Sequence, residues 1–174
     1  MQPSDPLHVL ARFDRWATER LFAAYRALDD AALDRTFEIG LGSIRRTLVH
    51  VVANMEWWLD RADSRAPRPF NSEPSVSLDA IIDRYEHAWD DLSSLLSRST
   101  SARLAEVIAS DFEQPDGSVV TVRFIRAAVL LHVFNHGTHH RVQCLNMLRN
   151  LGVAPLPEID LIDSTQETVH APDR

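Results

Sequence analysis

HVFNHGTHHRVQ, residues 132–143, is the stretch from which the rest of the chain is best read. Followed outward, Val129, Val133, His136, His140, Cys144, Met147 and Leu151 recur at spacings of three and four, which is one face of an α-helix. His136 and His140 are therefore one turn apart, ~6 Å along the axis, on the face that otherwise carries apolar side chains. Such a face has to be buried against other helices. The last helix is predicted over about residues 123–151, stopping at Gly152 with Pro155 beyond it.

Three more helices are predicted upstream. Asp5 caps the first, with Pro6 in its opening turn, and Leu7, Leu10, Ala17, Leu21 and Tyr25 carry it to about Leu28. Residues 29–42 read as a connection. Ser43 caps the second, SIRRTLVHVVANMEWWLDRA, with Ile44, Leu48, Val51, Met55 and Leu59 as its stripe. Pro67, Pro69 and Pro74 make residues 63–76 a loop. Ser77 caps the third, whose apolar side is Leu78, Ile81, Tyr85, Ala88, Leu92 and Leu95. Between it and the last helix, EVIASDF and SVVTV flank Gln114-Pro115-Asp116-Gly117, a turn sequence, and predict a small β-hairpin. The expected fold is all-α: a single domain over residues 1–174, with a four-helix core at about 5–152 and an extended, proline-rich tail at 153–174.

Composition narrows the function. With 174 residues and 45% hydrophobic content the chain can bury one core without staples. A net charge of −7 argues against general nucleic-acid binding. All 18 basic residues are arginine, which excludes lysine Schiff-base chemistry. Cys144 is the lone cysteine, so no intrachain disulfide can form, and a reducing cytoplasm is the expected compartment. No signal peptide and no membrane span is expected.

The chemistry points to a metal. A buried imidazole pair is costly unless each ring finds a partner. Taken alone, the pair fits hydrogen-bonded core histidines at least as well as metal ligands. His50 shifts that balance, because it lies midway along a different helix beside Thr47, Asn54 and Trp57. Three neutral nitrogen donors with a fourth position open is the pattern of a catalytic site, and it favours zinc, nickel or iron(II) over calcium or magnesium. His132 is either a supporting partner behind His136 or a packed core residue. Arg141 and Gln143 either orient an anionic substrate or, for Arg141, anchor a helix or dimer contact. Cys144 reads as a small buried hydrophobe rather than a fourth ligand. His139 is placed on the outer side with Asn135. His8, His87 and His170 read as surface histidines, and Trp57 and Trp58 as core or interface residues.

LVHVVANMEWWL around His50, together with HVFNHGTHHRVQ, resembles the DinB family of YfiT-like metal-dependent hydrolases and thiol S-transferases. In that family a histidine of the second helix joins two from an NHxxHH-type motif in the last, and the resemblance spans about residues 7–151. It implies an up-down-down-up bundle with His50, His136 and His140 as metal ligands. One departure is Val142, where the family often has glycine. The resemblance also implies a low-molecular-weight thiol cofactor such as glutathione, mycothiol or bacillithiol, a small-molecule substrate, and a homodimer to which Trp58 contributes. The expected activity is metal-dependent activation of a thiol or of water, as in a detoxifying S-transferase; an acid-free last helix would suit an anionic thiol. The alternative is a non-catalytic metal-binding module serving stress response or dimerisation.

Overall fold

Each of the first three long helices starts where a short polar side chain takes an orphan backbone N–H. Asp5 Oδ1 accepts from Leu7 N at 2.9 Å, Ser43 Oγ from Arg46 N at 3.3 Å, and Ser77 Oγ from Ala80 N at 3.2 Å. The computed structural model describes residues 5–73 and 75–165. Its long helices are α1 (Pro6–Tyr25), α3 (Ile44–Ala62), α4 (Leu78–Ser97) and α6 (Arg126–Asn150). Short helices α2 (Asp30–Asp34) and α5 (Ser101–Leu104) and an antiparallel hairpin, β1 (Val107–Glu113) with β2 (Val119–Ile125), fill the connections. Tyr25, Leu21, Ile44, Leu59, Ile81, Leu92, Leu130 and Met147 lie fully buried where the four long helices meet.

Side-chain pairs give the helix directions. Glu56 meets Arg84 and Asp63 meets Arg98, so residue numbers rise together and α3 runs parallel to α4. Across α3 and α6, His50 meets His136 while Trp58 meets His132, so those helices are antiparallel. Across α1 and α4, Arg15 meets Glu86 while Phe22 meets Tyr85, again antiparallel. The bundle is up-down-down-up, and the parallel step from α3 to α4 uses the long loop at 63–77.

Two boundaries differ from the sequence reading. The last helix begins at Arg126, because Arg123, Phe124 and Ile125 instead complete the ladder opposite Ala109, Ile108 and Val107. Phe124 then packs edge-on against Trp58 at 5.4 Å and Phe112 against Trp57 at 5.4 Å, which seats the hairpin on α3. The connection at 29–42 contains α2, capped by Asp29. At the other end, α6 closes as predicted. Gly152, at φ +81°, donates to Arg149 O and Val153 donates to Leu148 O, a Schellman cap that needs a left-handed residue. Beyond it Val153 and Leu156 pack on the core, and Arg20 Nε donates to Glu158 O at 2.9 Å. Residues 166–174, including His170, lie outside the described residues. Among the described residues no helix is long and apolar enough to cross a membrane.

Candidate metal centre

The antiparallel crossing of α3 and α6 brings His50 face to face with His136 and His140. His136 Nε2 lies 3.2 Å from His50 Nε2 and 3.2 Å from His140 Nε2. One nitrogen from each ring falls within 4.8 Å of the others. Donors at metal–nitrogen bond lengths near ~2.0–2.1 Å and roughly tetrahedral angles sit ~3.3 Å apart, so the spacing fits one ion on these three residues. The rings are also held neutral. Burial lowers all three pKa values, and His136, repelled by His140 and His50 as well, is pushed down to about 3. Neutral imidazole is the form that can ligate.

The orientation of His140 is set from behind. Its Nδ1 donates to Gln143 Oε1 at 2.9 Å, which leaves Nε2 with a free lone pair aimed at the other rings. Gln143 Nε2 in turn donates to His139 Nε2 at 2.8 Å. A Cβ on Gly40 would stand 2.2 Å from Gln143 Oε1, so any side chain there would push the amide aside. Gln143 thus supports a candidate ligand.

The other candidates separate clearly. His132 is exposed, with its ring 5.6 Å from His136 and 5.2 Å from Trp58, so it borders the site and is not core. His139 and Asn135 are exposed, as is His87, while His8 is half-buried. Arg141 is 6% exposed and is paired with Asp14, itself 4% exposed, with Thr18 Oγ1 at 3.3 Å. It locks α6 to α1 and is not directed at a substrate. Arg126 is likewise taken by Glu106 at 2.8 Å. The acid-free run of α6 therefore does not make the histidine site cationic. Cys144 is buried against Tyr25 and Thr47, its thiol pushed up to about 11 by burial, and it is not among the converging donors.

Sequence reasoning missed Phe70. Its ring stands edge-on to His50 at 5.9 Å while remaining 44% exposed, so it flanks His50 on one side. The loop that carries it is pinned by Arg68, whose N and Nε donate to Asp60 Oδ2 at 2.8 and 2.9 Å and whose Nη2 reaches Asp91 at 2.9 Å. A proline-rich loop carries no periodicity, so nothing in the sequence marked this residue. Asn54 Oδ1, one turn past His50, is buried with no hydrogen-bond partner among the described residues.

The DinB family model matches residues 2–170. Among solved structures, a DinB-like protein from Bacillus cereus ATCC 10987 is 20% identical, with a TM-score of 0.63 over 84% of this chain and 92% of that one. YfiT from Bacillus subtilis, described as a probable metal-dependent hydrolase with an unusual four-helix bundle topology, is 18% identical, with a TM-score of 0.57 over 84% and 85%. A histidine-to-alanine mutant of the mycothiol-dependent maleylpyruvate isomerase is 13% identical, with a TM-score of 0.55 over 80% of this chain and 60% of that one. No curated protein matches the chain.

Proposed function

This chain belongs to the DinB family, and from that premise we propose that it is a metal-dependent enzyme whose divalent ion is held by His50, His136 and His140. The observation that carries the reading is the convergence of three neutral ring nitrogens from two helices, with His136 Nε2 at 3.2 Å from each of the other two. A divalent ion there supplies Lewis-acid activation of water or of a thiol sulfur. Borderline donors of this kind suit zinc, nickel or iron(II).

The protein's own residues do the positioning. Gln143 fixes the His140 tautomer, the Asp14–Arg141 pair holds α6 in register with α1, Phe70 borders the His50 ring and Trp58 borders the neighbouring His132. Those aromatic walls suit a substrate with an apolar part. The thiol variant of the reaction, an S-transfer from glutathione, mycothiol or bacillithiol to a small electrophile, draws its support from the mycothiol-dependent isomerase of similar fold. A cytoplasmic homodimer completes the proposal.

The test is metal analysis of untagged protein followed by a turnover screen with each thiol and with water alone. His50→Ala should abolish stoichiometric metal and turnover while far-UV circular dichroism is unchanged. Full metal content in His50→Ala would overturn the ligand assignment. Metal without turnover under any thiol would favour the non-catalytic module.

A further inference from the structure

Among the described residues Arg61 is a buried cation in no salt bridge, its burial only partly offset by the charge of neighbouring Asp60. It is 9% exposed, and its Nη1 donates to Trp57 O at 3.1 Å while the guanidinium stacks 3.1 Å from the Trp57 ring centroid. The neighbouring carboxylates are engaged elsewhere: Asp60 by Arg65 and Arg68, Asp63 by Arg98 and Arg103, Glu106 by Arg126. Among the described residues Arg61 Nε is buried without a hydrogen-bond partner, and so is Nη1 of Arg126, which is 4% exposed. Buried charges are ordinarily paired, since desolvating one alone costs several kcal/mol. Burial accordingly lowers the pKa of Arg61.

Both arginines line one cleft of about 560 Å³, with Ser64 and Arg65 on one wall and β1 residues 107–111 on the other; Glu106, whose carboxylate accepts from Arg126 Nη2 at 2.8 Å, also lines it. In the β1–β2 register Gln114 N bonds Ser118 O, and the alternation that follows turns the backbone groups of Val107, Ala109 and Asp111 away from β2. That strand edge therefore carries peptide N–H donors and C=O acceptors that β2 does not pair. Asp111 sits at the far end, where its carboxylate accepts from Thr121 Oγ1 at 2.6 Å. At the other end Glu106 offsets Arg126, so the uncompensated positive charge there is that of Arg61. Eleven residues along α3 separate Arg61 from His50, ~16 Å of helix, so this cleft is distinct from the histidine site.

We propose that this cleft is an oxyanion-binding site, in which Arg61, joined by the unpartnered Nη1 of Arg126, receives the carboxylate or phosphate group of a small molecule. Stacking on Trp57 pre-orients the Arg61 fork, and planar forks of this kind suit two-oxygen groups. The site does not depend on the metal reading.

The test titrates the full-length protein with inorganic phosphate and, separately, succinate, by calorimetry and by Trp57-sensitive fluorescence. Saturable one-to-one binding by either anion is expected, weakened about 10- to 100-fold in Arg61→Gln, the loss expected for a charge-assisted hydrogen bond. Arg149→Gln, an exposed control, should bind as the wild type does. Binding should persist in His50→Ala, which places the anion away from the histidines. The stronger of the two anions identifies the headgroup. Absence of saturable binding by both, or equal weakening by Arg149→Gln, overturns the proposal. Were Arg61→Gln not to fold, the Arg61 Nε–H resonance of wild-type protein decides: it shifts on anion addition if the site is real, and stays put if it is not.

Discussion

Gly40→Ala should damage the proposed metal site without touching a ligand. The new methyl carbon would lie 2.2 Å from Gln143 Oε1 and 2.7 Å from its Cδ, whereas ordinary contact begins at 3.4 Å. Relief requires the amide to withdraw by ~1 Å, and the 2.9 Å bond to His140 Nδ1 then stretches past hydrogen-bond range. Loss of such a supporting partner typically weakens metal affinity about 10- to 100-fold, or ~1.4–2.8 kcal/mol. A second, separate cost falls on folding, since alanine at φ +54° is strained by roughly 1 kcal/mol. The two are distinguished by titrating zinc against a chromophoric chelator for the wild type, Gly40→Ala, Gln143→Ala and the double variant. Both single variants should lose affinity. The double should lose no more than Gln143→Ala, because the clash and the bond it breaks involve the same side chain. Wild-type affinity in Gly40→Ala, or additive losses in the double, would refute the reasoning.

Asp14→Ala strands the Arg141 guanidinium in the core and should cost ~3–5 kcal/mol in urea unfolding, lowering Tm by about 6–20 °C; a paired Asp14→Leu, Arg141→Met change should recover much of it. A loss below ~1 kcal/mol would mean that the pair is not buried as described. The metal-free protein should weaken as pH falls from about 6.5 toward 3. His136 is held neutral down to about 3 when folded, so the unfolded chain binds more protons across that window, and the His136 contribution is intact only above it. Replacing His136 with Gln should flatten that part of the stability–pH curve, and an unchanged slope would contradict the assignment. Cys144 should resist thiol reagents in the native state and react only on unfolding, since it is buried with its thiol pushed up to about 11.

What could be read from the sequence was whatever repeats or caps. The stripe through His136 and His140 placed both rings on the inward face of α6, and Asp5, Ser43 and Ser77 marked helix starts to the residue because an N-cap is a local bond. The hairpin was visible from its turn. Its end was not: residues 123–125 have helical neighbours in sequence but ladder partners in space, and pairing with residues 107–109 decides their state. Side-chain roles set by distant partners were also hidden. Arg141 read as open between substrate contact and helix anchor until Asp14, 127 residues earlier, was seen to face it. The roles of Gln143 and Gly40 depend on a loop meeting a helix more than a hundred positions away. No periodicity encodes such a meeting.

The all-arginine basic set gains a physical meaning once those distant partners are known. Guanidinium forks here tie loops to helices at several points each. Arg45 binds Asp30, Asp34 and the carbonyl of Val76, and Arg84 binds Glu56 together with the carbonyl of Asn71. Arg68 does the same for Asp60 and Asp91. An ammonium group is a compact point charge and lacks the planar fork that makes these bidentate and bridging contacts. The described residues of the loop between α3 and α4 are mostly exposed, and these arginine bonds tie it to the helices. Phe70 is carried by that loop, and its place against His50 follows from arginine geometry as much as from hydrophobic contact. The same use of arginine makes Arg61 stand out: among so many forks closed on carboxylates, it is the buried one whose fork closes on a tryptophan instead.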